Sequence, residues 1–246
     1  MLNTITTNKL MLFSATILSS AFSGAFQPQQ GKDNVLTEEE QKNGWVLLFN
    51  GKNTDGWRSY NNKPFDSWEV TNGQLYCKSS KDVKQRADLI TVDQYDNFEL
   101  SLDWKVDKGA NSGVIYRVKE TSGPSYETGP EYQLIDDEGY PQKLEAWQKS
   151  GADYAMYPPL EIAAKPAGEY NHTTILVKGA HVEHWLNGKK VVEYQLWTPA
   201  WRELKEKSKW KEALSYGLAP KGYIALQDHG GGIWFKNVKI RKISSI

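Results

Sequence analysis

From Gly44 onward the chain alternates apolar and polar positions with a period of two, in short runs closed by turn residues. The runs are Trp45–Phe49, Trp68–Val70, Gln74–Tyr76, Phe98–Trp104, Gly113–Val118, Glu131–Ile135, His172–Val177, His181–Leu186, Lys190–Tyr194, Gly222–Gln227 and Ile233–Ile240. They are rich in β-branched and aromatic residues, which suit a pleated, half-buried surface. Eleven such runs predict an all-β, two-sheet sandwich with Leu100, Leu102, Ile224 and Leu226 inside. Asn72-Gly73 and Asn187-Gly188 predict tight hairpins, because both positions of each pair tolerate positive φ. Helical patterning is confined to 144–149 and to Trp201–Leu214, the latter charged enough to be expected as a peripheral excursion. No repeat or linker divides the chain after Gly44, so 44–246 is expected to be one domain.

The N-terminus follows a different pattern. Lys9 is the only charge ahead of an apolar or small run from Leu10 to Phe26, and Ser23-Gly24-Ala25 supplies small residues where a signal peptidase cuts. Residues 1–25 are therefore expected to be an export signal and 26–43 a solvated leader ending in a short helical turn. The mature protein is expected in the periplasm or outside the cell. The single cysteine, Cys77, allows no internal disulfide and stands too far along to carry a lipid at the signal's end, so no membrane anchor is expected.

Charge and composition narrow the chemistry. Thirty Lys plus Arg balance 30 Asp plus Glu, which leaves no electrostatic footprint for a nucleic acid. Ten Trp, 13 Tyr and 7 Phe give 12% aromatic residues, suited both to a β-rich core and to stacking on sugar faces. No phosphate-binding glycine loop, dinucleotide fingerprint, H-E-x-x-H or G-x-S-x-G motif occurs, so no nucleotide cofactor is expected. His181 and His184 are three apart on a strand and face opposite ways, so together they hold no metal. Asp136-Asp137-Glu138-Gly139 reads as a solvated turn rather than a calcium loop. The alternate carboxylates by which a jelly-roll glycosidase cleaves its substrate directly are missing. No metal-ligand set emerges, although a divalent cation is left open.

Strand parity places the candidate site. If Ile224 and Leu226 face the core, Gln227 and His229 face away; Tyr132 and Leu134 likewise send Glu131 and Gln133 outward. Counting Val114, Tyr116 and Val118 as inward sends Ile115 and Arg117 outward. Glycines at 113, 129 and 230–232 suggest backbone that curves or leaves room for a ligand. Arg117, Glu131, Gln227 and His229 are thus expected on one concave sheet face, with Trp147 or Tyr154 covering the apolar side of a sugar.

Several segments together resemble the 3-keto-disaccharide hydrolase domain family, long known as a domain of unknown function. They are Asn111-Ser-Gly-Val-Ile-Tyr-Arg117, Glu131-Tyr-Gln-Leu-Ile-Asp136, Lys165-Pro-Ala-Gly-Glu-Tyr-Asn171, Leu186-Asn-Gly188, Ser208-Lys-Trp210, and Gly222 to Gly230 with the Trp-Phe-Lys-Asn-Val-Lys-Ile strand behind it. Tyr170 and Lys236 depart mildly from the pattern, which more often has Trp and Arg there. The resemblance implies a concanavalin-like lectin/glucanase jelly roll and cleavage of 3-keto-glycosides by α-proton abstraction, elimination and hydration. It implies roles for Glu131, His229 and Arg117 in proton transfer and enolate stabilisation. Gln133, Gln227, Asn111, Lys165, Tyr154 and Trp147 would bind substrate, Lys165 doubling as a weaker candidate base. A separate sugar-oxidising dehydrogenase would have to make the ketone. A non-catalytic glycan-binding module, or a hydrolase of unmodified glycosides, is the alternative.

Overall fold

The computed structural model describes residues 32–79 and 81–244. The expected export signal lies outside them. In chain order the strands are β1 (Trp45–Leu47), β2 (Trp57–Ser59), β3 (Trp68–Thr71), β4 (Gln74–Cys77), β5 (Leu89–Thr91), β6 (Phe98–Val106) and β7 (Asn111–Val118). They continue with β8 (Glu131–Ile135), β9 (Asn171–Lys178), β10 (His181–Leu186), β11 (Lys189–Gln195), β12 (Tyr223–Leu226) and β13 (Ile233–Lys242). Two α-helices accompany them, α1 (Glu38–Lys42) and α2 (Pro199–Lys207).

The strands form two antiparallel sheets packed as a jelly-roll sandwich. The larger, eight-stranded sheet runs β11-β10-β9-β6-β13-β4-β3, with β1 added on β13; the smaller, five-stranded one runs β2-β5-β12-β7-β8. Between them, Leu100, Leu102, Ile224 and Leu226 are fully buried among Trp104, Phe98, Phe235 and Tyr116. Burying such chains supplies roughly 1.5–3 kcal/mol each. Both Asn-Gly pairs make their hairpins with positive φ, 50° and 74° at 72–73 and 51° and 82° at 187–188. Asp136 closes the acidic turn by accepting N–H bonds from Gly109, Glu138 and Gly139.

Three features differ from expectation. First, β2 and β5 are three-residue strands too short to show an alternation, yet they complete the smaller sheet. Second, the leader ends in the expected helical turn, α1, capped by Thr37 in a capping box, but it is attached rather than only solvated: Asn34 exchanges hydrogen bonds with Asn237 and donates to Gly73 O at 2.8 Å. Third, the segment from Trp201 is anchored. Trp201 and Trp210 are buried and bracket Tyr216, with ring centroids at 6.4 and 4.5 Å. Only the charged face of α2 stays in solvent. Among the described residues no helix is long and apolar enough to cross a membrane.

Candidate active site

The outer face of the smaller sheet carries an apolar patch of Tyr60, Ile90, Ile115, Val118 and Ala225, and next to it a polar row. Leu226 pairs with Leu89 on one side and Val114 on the other, and Gly113 pairs with Gln133. One step along the strands, Asp88, Gln227, Gly113 and Gln133 therefore line up across four strands, roughly 14 Å at the usual strand spacing. Alternation sends all four outward.

Glu131 leans into this row. A Cβ on Gly113 would lie 2.2 Å from Glu131 Oε1 and 2.8 Å from its Cδ, so this glycine makes room for the carboxyl itself rather than for a ligand. Gly113→Ala is expected to push the carboxyl aside and lower kcat/KM about 10-fold or more with little loss of stability, because small misplacements of a reacting group are costly. Kinetics and a melting curve on the variant check both halves. Glu131 is 4% exposed and forms no side-chain hydrogen bond within the described residues. Burial pushes its pKa up to about 8; the Lys209 cation opposes the rise, and Asp88 and Asp153 add to it.

Lys209 follows α2. Its ammonium lies 4.3 Å from the ring centroids of both Tyr154 and Trp210 and 5.7 Å from that of Tyr126. Desolvation beside these rings lowers its pKa, and the Glu131 carboxylate opposes that. Tyr154 is fixed at both ends of its backbone: its N–H donates to Glu131 O at 2.9 Å, and its carbonyl accepts from Trp210 Nε1 at 2.9 Å. Trp147 meets Tyr154 edge-on at 5.3 Å. Gln133 donates to Asn111 Oδ1 at 3.2 Å, while the buried Oε1 of Gln227 has no partner among the described residues. Asp88 is already engaged, accepting from Ser125 Oγ and from Asp228 N–H, and burial raises its pKa. Two cavities open here. One of about 200 Å³ is lined by residues including Lys63, Asp88, Tyr126, Gln227 and His229; one of about 290 Å³ is lined by residues including Asn111, Tyr140 and His229. His229, exposed, belongs to both rims.

Of the residues singled out in the sequence, Glu131, Gln133, Gln227, Asn111, Tyr154, Trp147 and His229 thus gather on this side. Arg117 does not. Val118 pairs with Tyr223 and Ile115 with Ala225, so Tyr116 and Arg117 together face Ile224, and this bulge turns Arg117 inward. It is 2% exposed, takes φ +55°, and donates through Nη2 to Asp96 O and Gly179 O, both at 2.8 Å. Arg117 is therefore a tie between the sheets rather than a sugar ligand. Lys165 is also elsewhere: exposed on the loop before β9, it donates to Tyr170 O, and Tyr170 in turn bonds Gln74 of the larger sheet.

Sequence reasoning missed Asp88, because β5 was unseen, and Lys209, whose only signal was its place inside Ser208-Lys-Trp210. One group has metal-ligand spacing among the described residues: His181, Glu183 and Glu193 offer ligating atoms within 4.8 Å of one another. It lies on the larger sheet, and the Lys190 ammonium already bonds both carboxylates.

The family model described as the 3-keto-alpha-glucoside-1,2-lyase-like domain matches residues 44–241. The chain belongs to that family. A 3-keto-disaccharide hydrolase of Bacteroides thetaiotaomicron is 33% identical over 226 residues, 80% of this chain and 78% of its own. A crystal structure of a provisionally assigned glycosyl hydrolase from Parabacteroides distasonis is 42% identical, with a TM-score of 0.80 over 87% of this chain and all of its own. A second such structure from that organism is 32% identical, with a TM-score of 0.64 over 81% of this chain and 99% of its own. As a member of the 3-keto-alpha-glucoside-1,2-lyase-like family, the chain is a glycoside-hydrolase-like enzyme. The family match spans both sheets and the Trp201–Trp210 segment that brings Lys209 over Tyr154.

Proposed function

We propose that this protein cleaves 3-keto-glycosides, 3-keto-disaccharides among them, with Glu131 as the proton carrier. The observation that carries the reading, beside family membership, is a buried carboxyl without a hydrogen-bond partner among the described residues, raised to about 8 and facing a lysine. A ketone at C3 acidifies the proton on C2. The Glu131 carboxylate takes that proton, and the C–H electron pair becomes the C2–C3 enolate, whose O3 charge the Lys209 ammonium faces. The enolate re-forms the ketone as the C1–O bond breaks, leaving a C1–C2 double bond. The departing oxygen takes a proton from His229, which stands where the two cavities meet. Water then adds at C1, its oxygen forming the new C1–O bond and its proton returning to His229, while Glu131 returns its proton to C2, so the net change is hydrolysis. Gln227 Oε1 accepts from a sugar hydroxyl, and Tyr154 with Trp147 covers the apolar face of a ring.

Asp88 does not complete a hydrolytic carboxylate pair in this reading, because both of its oxygens are already bonded. The ketone must come from a separate enzyme that oxidises the C3 hydroxyl. The N-terminal run would export this protein to the periplasm or out of the cell.

The test compares product release from a 3-keto-glucoside and from its unoxidised parent across pH. Only the oxidised sugar is expected to react. Since the carboxylate is the working form of a base, the acid-side limb of kcat/KM should rise with pH towards about 8. Equal rates on the two sugars would end the substrate assignment; a profile with no rising acid-side limb would remove Glu131 as the base.

A further inference from the structure

On the far side of the molecule, the outer face of the larger sheet holds a cavity of about 690 Å³, well above either cavity beside His229. Thr174 and Leu176 of β9 form its floor, and Trp185 of β10 its aromatic side. The indole is held in place, since Trp185 Nε1 donates to Glu183 Oε2 at 2.8 Å. The polar rim is built from side chains already tied to one another: Arg241 Nε donates to Glu99 Oε2 at 2.8 Å, His172 Nδ1 meets Asp103 Oδ1 at 2.7 Å, and Lys190 reaches Glu183 at 3.3 Å.

These features select a ligand class. The volume falls within the roughly 300–1,000 Å³ of small-molecule sites. Acid–base pairing cancels most of the charge, which removes the attraction for a polyanion or polycation. The apolar part is Leu176, Ile243 and one indole ring, broken by charged pairs rather than continuous as a lipid chain requires, and matched to the C–H face of a pyranose. Paired side chains held in place around it still offer lone pairs and N–H groups to hydroxyls without a large ordering cost.

We propose that this groove is a second, non-catalytic binding site for a neutral, unoxidised oligosaccharide, which keeps the enzyme on glycan while Glu131 works on the opposite sheet. The inference does not rest on the reaction assigned to Glu131, and its test keeps the two apart.

Titration calorimetry with maltotetraose and with cellotetraose is run on the wild-type protein and on Trp185→Ala, Thr174→Arg and Glu131→Gln. The expected result is binding of at least one tetrasaccharide with a Kd of about 1 mM or tighter. Trp185→Ala should weaken it about 10-fold, in line with the loss of an aromatic anchor. Thr174→Arg, at a half-buried floor position, should block the groove without disturbing the core. Glu131→Gln should leave this affinity unchanged, and the two groove variants should keep wild-type turnover on a 3-keto-glucoside. No binding of either sugar at about 5 mM, binding indifferent to both groove variants, or binding lost in Glu131→Gln would each overturn the proposal. So would gel filtration in which Thr174→Arg converts a dimer to a monomer, since the occupant would then be a second copy of the chain.

Discussion

Glu131→Gln is expected to lower turnover on a 3-keto-glucoside by about 10²-fold or more while changing substrate affinity only a few-fold. The amide keeps the shape that fits over Gly113 and loses the ability to take the C2 proton. The same substitution has a stability signature of known sign. Glu131 is raised from its ordinary 4.5 to about 8, so between those values the folded protein holds a proton that the unfolded chain has released. Its contribution to stability is complete below about 4.5 and is lost as pH rises through 8. Wild-type melting temperature should therefore decline across that window, and Glu131→Gln should decline less. A residual slope is expected from Asp153, which burial raises to about 7. Melting curves from pH 5 to 9 on both proteins, read with their kinetics, separate a proton carrier from a carboxyl that only fills space.

Arg117→Met should behave in the opposite way. Removing the buried guanidinium breaks its bonds to Asp96 O and Gly179 O, and a hydrogen bond made by a charged group contributes about 1.5–3 kcal/mol. The loss should total roughly 3 kcal/mol, or ~10 °C in a domain of this size. Turnover per folded molecule should stay within a few-fold of wild type, since Arg117 points away from the face that carries Glu131. A variant that melts normally but loses 10²-fold in turnover would return Arg117 to the site. Differential scanning calorimetry and kinetics at a temperature where the variant is folded decide between them.

Those two residues also mark what a sequence can and cannot disclose. Glu131 was legible because β8 alternates without interruption: Tyr132 and Leu134 face the core and Glu131 and Gln133 face out, as counting by two requires. Arg117 was misplaced by the same counting, because the bulge opposite Ile224 adds one residue and reverses the parity after Tyr116. A bulge leaves no mark in composition. The sandwich itself was readable since its long strands and both Asn-Gly hairpins carry local signals. β2 and β5 were not, because three residues cannot establish a period, and with β5 went Asp88. Lys209 lies in a stretch rich in lysine and glutamate, where nothing local separates a lysine resting on rings from its solvated neighbours. Only the burial of Trp210 beside it, a tertiary fact, makes the distinction.

The strand that carries Glu131 and Gln133 ends the order of the smaller sheet, so one of its edges has no regular strand partner. The connecting segment occupies that edge instead: Gly151 N–H donates to Gln133 O, Gln133 N–H to Ala152 O, and Tyr154 N–H to Glu131 O. An open edge is a template for pairing with another chain, and here the loop that furnishes Trp147 and Tyr154 also blocks that template. Ring substitutions at Trp147 or Tyr154 leave these backbone bonds available, whereas shortening the loop uncovers β8. Substrate range in this scaffold can therefore drift by side-chain exchange far more freely than by deletion, because solubility and recognition share one stretch of backbone.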